Sequence, residues 1–302
     1  MHKPVLLHES IEALDFKAGK TFLDGTLGGG GHSMEVLRRF GGKVRVIGLD
    51  RDPQAVERSE TLLRSLKPRG NKEKLKIETR VENFKNLDQV LSELNIEKID
   101  AILFDLGIST DQLSPPASES GRGFSFLKDE PLDMRMSGTG ITARDLLNSW
   151  SENALELGIR GFGEERFSKK IARKIVERRK IKPFQSTRDL VEAVLAVKPR
   201  SSRDKIHPAT KTFQAIRIAT NDELSSLEVG LEKGFKVLKK KGRFAVISFH
   251  SLEDRIVKNF FRDKIKEKVA KQVTQKPITP NAKEIETNPR SRSAKLRVIE
   301  KV

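Results

Sequence analysis

Three acidic residues stand where a doubly wound fold holds its ligand. Each ends an apolar run: Phe22-Leu23 leads into Asp24, Val46-Ile47-Gly48-Leu49 into Asp50, and Ala101-Ile102-Leu103-Phe104 into Asp105. If the runs are parallel strands, their carboxyl ends meet at one crevice, the place where open α/β sheets bind ligands. Asp24 is followed by Gly25-Thr26-Leu27-Gly28-Gly29-Gly30-Gly31-His32. Glycines in such a turn let backbone N–H groups approach a ligand closely. The helix after it adds unpaired donors and a partial positive charge. Asp50, one strand later, is the acid expected on ribose hydroxyls. The spacing is not that of a dinucleotide site, because G-x-G-x-x-G counted from Gly28 meets Ser33 at its sixth position. That disfavours an oxidoreductase built on a nicotinamide cofactor. A carboxylate ahead of the glycines suits a ligand with a positive amino acid head, and S-adenosylmethionine is such a ligand. A glycine turn serving packing alone is the plain alternative.

The elements that must position these acids follow from the apolar pattern. Strands expected at 21–23, 44–49, 75–79 and 99–104 alternate with helices at 33–40, 53–66 and 87–94, as a parallel sheet requires. Pro53 falls near a helix start, where its missing N–H costs least. After Asp105 the alternation stops. Residues 113–140 form a loop rich in Ser, Pro and Gly, expected to be functional or a lid. A helix is expected at 167–179, where Phe167, Ile171 and Ile175 recur every four residues among basic ones. Another is expected at 187–197, with Ser186 and Asp189 matching a capping pattern. Leu224, Leu227, Leu231, Phe235 and Leu238 make one apolar helix face. Gly242 is expected to end that helix, and 243–249 reads as a buried strand. Residues 264–288 are polar and expected to be a loose excursion before an edge strand at 294–299.

Composition narrows the chemistry. The 302 residues carry 59 Lys and Arg against 42 Asp and Glu, a net charge of +17. Such an excess favours a polyanionic partner, most often nucleic acid, with a solvated basic surface as the bland alternative. There is no cysteine, so thiolate nucleophiles, iron–sulfur clusters and cysteine-ligated zinc are excluded. No apolar run approaches the roughly 18 residues of a membrane span. Met1-His2-Lys3-Pro4-Val5-Leu6-Leu7 is too short and polar for a secretory signal. A cytoplasmic protein without membrane partners is expected.

Six blocks are more specific than any propensity. They are Pro4-Val5-Leu6-Leu7-His8-Glu9; the turn from Asp24 to Ser33; Arg122-Gly123-Phe124-Ser125-Phe126 with Pro131-Leu132-Asp133-Met134-Arg135-Met136; the stretch from His207-Pro208-Ala209-Thr210-Lys211 to Ile218; Ser248-Phe249-His250-Ser251-Leu252-Glu253-Asp254-Arg255; and Asn288-Pro289-Arg290-Ser291-Arg292-Ser293-Ala294. Together, and in this order, they resemble the RsmH (MraW) family, bacterial methyltransferases that modify the exocyclic N4 of a cytidine in small-subunit (16S) ribosomal RNA. The resemblance implies an α/β fold, a class I S-adenosylmethionine-dependent methyltransferase (Rossmann-like) sheet with an inserted helical domain. The expected division is 1–111 and 207–302 for the methyltransferase domain and 112–206 for the helical insertion that recognises substrate.

Carried onto this sequence, the family's cofactor contacts fall on Gly30, Gly31, His32, Asp50, Phe84, Asp105 and Gln112. The glycines and His32 would line the methionine end, Asp50 the ribose and Phe84 the adenine. Ser109-Thr110-Asp111-Gln112 departs from relatives that show a second serine after the first, though a hydroxyl is kept. Ser114-Pro115-Pro116 is not the Pro-Pro motif of DNA amino-methyltransferases, because it lies about ten residues too late and Ala117 replaces the aromatic residue. No metal is needed, because the methyl donor is already electrophilic. Asp105, then Asp133, then His250 are the candidate proton acceptors, and His250 could equally fix its own turn. Phosphates would be held by Lys169, Lys170, Arg173 and Arg178 of the insertion and by Arg290, Arg292 and Lys295 of the tail. The expected partner is 16S ribosomal RNA or the small subunit, and a homodimer is left open. Methylation of cytosine carbon 5 would need a thiolate, which this chain lacks, so attack by N4 is the route that composition leaves. The rival reading is a non-catalytic RNA-binding or ribosome assembly factor that retains the fold.

Overall fold

The computed structural model describes residues 4–66, 74–113, 121–202, 204 and 206–302. In chain order the elements are α1 (Leu7–Ala13), β1 (Thr21–Asp24), α2 (Gly31–Phe40), β2 (Arg45–Asp50), α3 (Pro53–Arg64), β3 (Lys76–Val81), α4 (Leu87–Glu93) and β4 (Ile99–Asp105). A helical series follows: α5 (Thr110–Leu113), α6 (Ala143–Ser149), α7 (Glu152–Gly163), α8 (Ser168–Ile181), α9 (Thr187–Leu195) and α10 (Thr210–Asn221). The chain closes with α11 (Glu223–Val237), β5 (Leu238–Ser248), α12 (Ser251–Lys266), β6 (Ala270–Gln272), α13 (Ala282–Thr287) and β7 (Lys295–Lys301). It divides into two compact units, one of Met1–Gly107 with Leu224–Val302, the other Ile108–Glu223. The sequence borders, 111/112 and 206/207, differ from these because α10 packs on α7 and stays with the helices.

The first unit is built on a seven-stranded sheet in the order β3-β2-β1-β4-β5-β7-β6. The pairs β2–β3, β1–β2, β1–β4 and β4–β5 are parallel, while β7 runs antiparallel to β5 and β6. Successive residues of each strand alternate between two cores, as a pleat dictates. Phe22, Val46, Leu103, Ala245 and Ile247 enter one, with α1 and α2. Leu23, Ile47, Ile102, Phe104, Phe244 and Val246 enter the other, with α4, α11 and α12. Burial on both faces explains why the central strands read as unbroken apolar runs. Asp52 caps α3 through Gln54 N, with Pro53 at the first helical position.

Several details depart from the sequence expectation. The strand expected at an edge, β7, lies inside the sheet, because the short and polar β6 pairs beyond it. The expected loose excursion at 264–288 is largely ordered. It holds the end of α12, β6, a bridge from Ile278 to Leu296, and α13, whose Glu284 accepts a hydrogen bond from Leu6 N at 2.8 Å. Gly242 does not end a helix but lies within β5, where a Cβ would come 2.8 Å from Lys239 O and 2.9 Å from Asp100 O.

The second unit has no strand among its described residues, as expected, and one apolar core. Its loop is not a loose lid where it is described: Phe124, Leu132, Met134 and Met136 are buried with α6–α10. Asn221 of α10 fixes that loop, accepting from Met136 N at 2.8 Å and donating to Met134 O at 2.7 Å. Ser114-Pro115-Pro116 and the lid length lie outside the described residues. Among the described residues no helix is long and apolar enough to cross a membrane.

Phe104 is fully buried, its ring centroid 4.5 Å from Phe84 and 4.9 Å from Phe244. Truncating it leaves a cavity in the centre of the sheet. Phe104→Ala should cost about 3–5 kcal/mol, measured as a lower urea midpoint at an unchanged slope.

Candidate active site

Asp24, Asp50 and Asp105 end β1, β2 and β4, three strands adjacent in the order β2-β1-β4. Parallel pairing therefore brings the three carboxyl groups to one end of the sheet. Asp50 accepts hydrogen bonds from Gly28 N (2.8 Å) and Asp52 N (2.9 Å). Burial raises its pKa, and those two backbone bonds oppose the shift. Asp24 is 1% exposed and accepts from Ser33 Oγ at 2.8 Å and Thr26 N at 3.3 Å. Burial dominates and pushes it from 3.8 to about 6.

Asp105 is the least satisfied of the three. Its backbone N donates to Thr26 Oγ1, but its buried Oδ1 has no hydrogen-bond partner among the described residues. Its Oδ2 lies 3.9 Å from His32 Nδ1. Burial, then the negative charges of Asp24 and Glu253, hold it well above the usual carboxylate range. His32 Nε2 lies 3.2 Å from Val5 O. A carbonyl only accepts, so this contact puts the proton on Nε2 and turns Nδ1 toward Asp105.

The glycine turn is shaped by close approach. Gly30 precedes α2 with φ +72°, the left-handed region that favours glycine. A Cβ on Gly31 would come 2.1 Å from Pro4 Cγ, so the N-terminal segment lies directly on the turn. A Cβ on Gly25 would come 2.3 Å from Phe104 Cε1. Phe84, just beyond β3, is partly buried, one side against Phe104 and Gly230. These features fit S-adenosylmethionine: a cluster of strand-end carboxyl groups, an acid on β2 for hydroxyls, and an aromatic ring.

Three further sequence candidates have partners of their own. Gln112 belongs to the second unit, buried on α5, and exchanges hydrogen bonds with Ser109 at 3.1 and 3.2 Å. Asp133, also in the second unit, binds the Arg135 guanidinium at 2.7 and 2.9 Å and Arg135 N at 2.9 Å. Burial would raise it, but the bonds from Arg135 together outweigh that and hold it low, which suits an anchor better than a base. His250 caps α12: its Nδ1 accepts from Glu253 N at 3.4 Å while Glu253 accepts from Phe249 N at 2.8 Å.

Among the basic candidates, Lys169 and Lys170 are exposed with no ion pair among the described residues. Arg173 reaches Glu152 at 3.6 Å. Arg178 is held by Glu192 (2.7 Å) and Asp189 (3.1 Å) and lies over the Phe184 ring, so it serves the helical core. Arg290 and Arg292 are exposed on the 3-10 turn Pro289–Ser293. Lys295 bonds Asp254 at 3.0 Å. It pairs with Ser248 at the carboxyl end of β5, which puts the arginine turn at the acid end of the sheet. Sequence reasoning gave no role to Pro4, Val5, Thr26, Ser33 or Glu253. The hydroxyls flanking the glycines were a usable signal, since Ser and Thr there can bond neighbouring carboxylates and backbone.

Asp24 provides a test. Its pKa is raised on folding, so its contribution is fully present below the unfolded value and is lost as pH rises through about 6. Asp24→Asn removes that loss and should stabilise the ligand-free protein by about 1–3 kcal/mol above pH ~6, with little gain near pH ~4. Thermal denaturation across pH measures it, and a gain independent of pH would contradict the assignment.

The model of the MraW methylase family matches residues 1–302. A protein named ribosomal RNA small subunit methyltransferase H from Carboxydothermus hydrogenoformans is 45% identical, over 100% of this chain and 98% of its own. Its namesake from Persephonella marina is 44% identical, over 100% and 99%. A solved rRNA methylase from Streptococcus thermophilus superimposes over 100% of this chain and 99% of its own, with TM-score 0.44 and 13% identity, too distant to assign function. Relatives of this identity, aligned end to end, leave one assignment: the chain belongs to the MraW methylase family.

Proposed function

We propose that the protein methylates the exocyclic N4 of a cytidine in 16S ribosomal RNA of the small subunit. The observation that carries this is the group of strand-end acids, Asp24 buried and Asp50 and Asp105 partly so, with one Asp105 oxygen lacking a hydrogen-bond partner among the described residues, in a chain without cysteine. The full-length relatives named small-subunit ribosomal RNA methyltransferases support the substrate. S-adenosylmethionine supplies, when bound, a methyl group already electrophilic on a sulfonium, so no metal is required.

The residues then have alignment and proton transfer to perform. An exocyclic cytosine amine is a weak nucleophile, and holding it in line is worth a large entropic factor. The target base must leave its stack, or already be single-stranded, to reach a crevice. An oxygen acceptor beside the amine orients it and stabilises the charge that develops. Asp105 is assigned that role, because its Oδ1 is unsatisfied and its raised pKa favours accepting a proton. Asp133 is engaged with Arg135, and His250 with its helix cap, which makes both weaker choices. Lys169, Lys170, Arg290 and Arg292 are assigned to phosphates, while Arg178 is not, because its charge is spent inside the helical unit.

Purified protein given labelled S-adenosylmethionine and small subunits should yield N4-methylcytidine by nucleoside mass spectrometry. If 5-methylcytidine alone appears, the proposed route is wrong, and if nothing is methylated, the assembly-factor reading gains. Asp105→Asn should lower kcat about 100-fold or more. The wild-type rate should fall as pH drops and Asp105 takes up a proton, and an Asp105→Asn enzyme of normal kcat removes its role.

A further inference from the structure

The sheet is polarised by charge. Its carboxyl end carries Asp24, Asp50 and Asp105, and each of the five parallel strands is entered at the other end by a lysine. In sheet order these are Lys76, Lys43, Lys20, Lys98 and Lys239. At about 4.8 Å between strands the row spans about 19 Å. Two members are engaged: Lys98 Nζ bonds Lys236 O at 3.0 Å and Lys239 Nζ bonds Asp100 at 2.9 Å. The side chains of the other three, Lys20, Lys43 and Lys76, have no hydrogen bond or ion pair among the described residues, and the three border one cleft of about 390 Å³. Arg45 and Glu78 also line it and neutralise one another through a 2.9 Å contact.

Helices in this fold run opposite to the strands, so their negative ends lie on this side and attract cations. Lys98 and Lys301 are used that way, donating to carbonyls at the end of α11. Lys20, Lys43 and Lys76 donate to no such carbonyl. Their charge is unspent, and it is concentrated beside a cleft.

We propose that this cleft is a second RNA-contact site, in which Lys20, Lys43 and Lys76 hold phosphodiester groups of the substrate away from the methylated nucleotide. β2 alone separates the cleft from Asp50 by about 17 Å, five steps of ~3.3 Å. The ligand must therefore be RNA that extends past the crevice and around the sheet edge. This rests on the reading of ribosomal RNA as substrate.

The test replaces all three together, Lys20→Gln, Lys43→Gln and Lys76→Gln, and measures binding to purified small subunits over a range of salt. Three phosphate contacts contribute about 0.7 each to the slope of log affinity against log salt. The variant slope should be shallower by about 2 than wild type, with S-adenosylmethionine affinity unchanged. Lys→Arg at the same three positions should restore the slope. An unchanged slope in the glutamine variant overturns the second site while leaving the methylation reading intact. So does a slope lost equally in the arginine variant, since charge is then not the cause. Wild-type protein that does not bind small subunits at all overturns the substrate reading, and this inference with it.

Discussion

Three carboxyl groups wholly or partly withdrawn from water at the ends of adjacent parallel strands set the terms for the rest of this molecule. An ionised carboxylate in a dry site is costly unless it is hydrogen-bonded or paired. Asp50 receives two backbone N–H bonds and Asp24 a serine hydroxyl, while Asp105 keeps an unsatisfied oxygen. Burial is the largest influence on all three, and it raises each. A cationic ligand offsets that cost, and S-adenosylmethionine brings a sulfonium and an ammonium. On the proposed reading the empty site is destabilised and the cofactor completes it, stability being given up for function.

The surrounding elements keep this arrangement in place. Pro4 rests on Gly31, Val5 O fixes the His32 ring, and Glu284 of α13 holds Leu6 N, so both chain ends brace the glycine turn. Glu253 ties the end of β5 to the start of α12 and adds a negative charge that raises Asp105. The helical unit is separately cored, with buried apolar residues from its loop and five helices. Its basic helix α8 divides its charges between internal ion pairs, as with Arg178, and exposed lysines, as with Lys169 and Lys170.

Much of this was legible because the signals are local. An apolar run that ends in an acid marks a strand end, and every such acid of β1, β2 and β4 stands at the same end of the sheet. Long-range pairing was not legible. β7 reads as an edge strand from its own residues, and only the pairing of the three-residue β6 makes it internal. The polar tail looked loose because its order comes from partners far away in sequence, such as Leu6 and Leu296. Charge alone could not separate Arg178 from Lys170, since the difference lies in Asp189 and Glu192 on the next helix.

The central claim is that burial makes the strand-end acids hold protons more tightly, and that a cation reverses this. Calorimetry of cofactor binding near pH 6, repeated in buffers of different ionisation heat, counts protons exchanged. Binding of S-adenosylmethionine should release protons, because its positive charge lowers the raised pKa values of Asp24 and Asp105. S-adenosylhomocysteine, whose sulfur is neutral, should release fewer. Equal release by both, or none by either, would contradict the account.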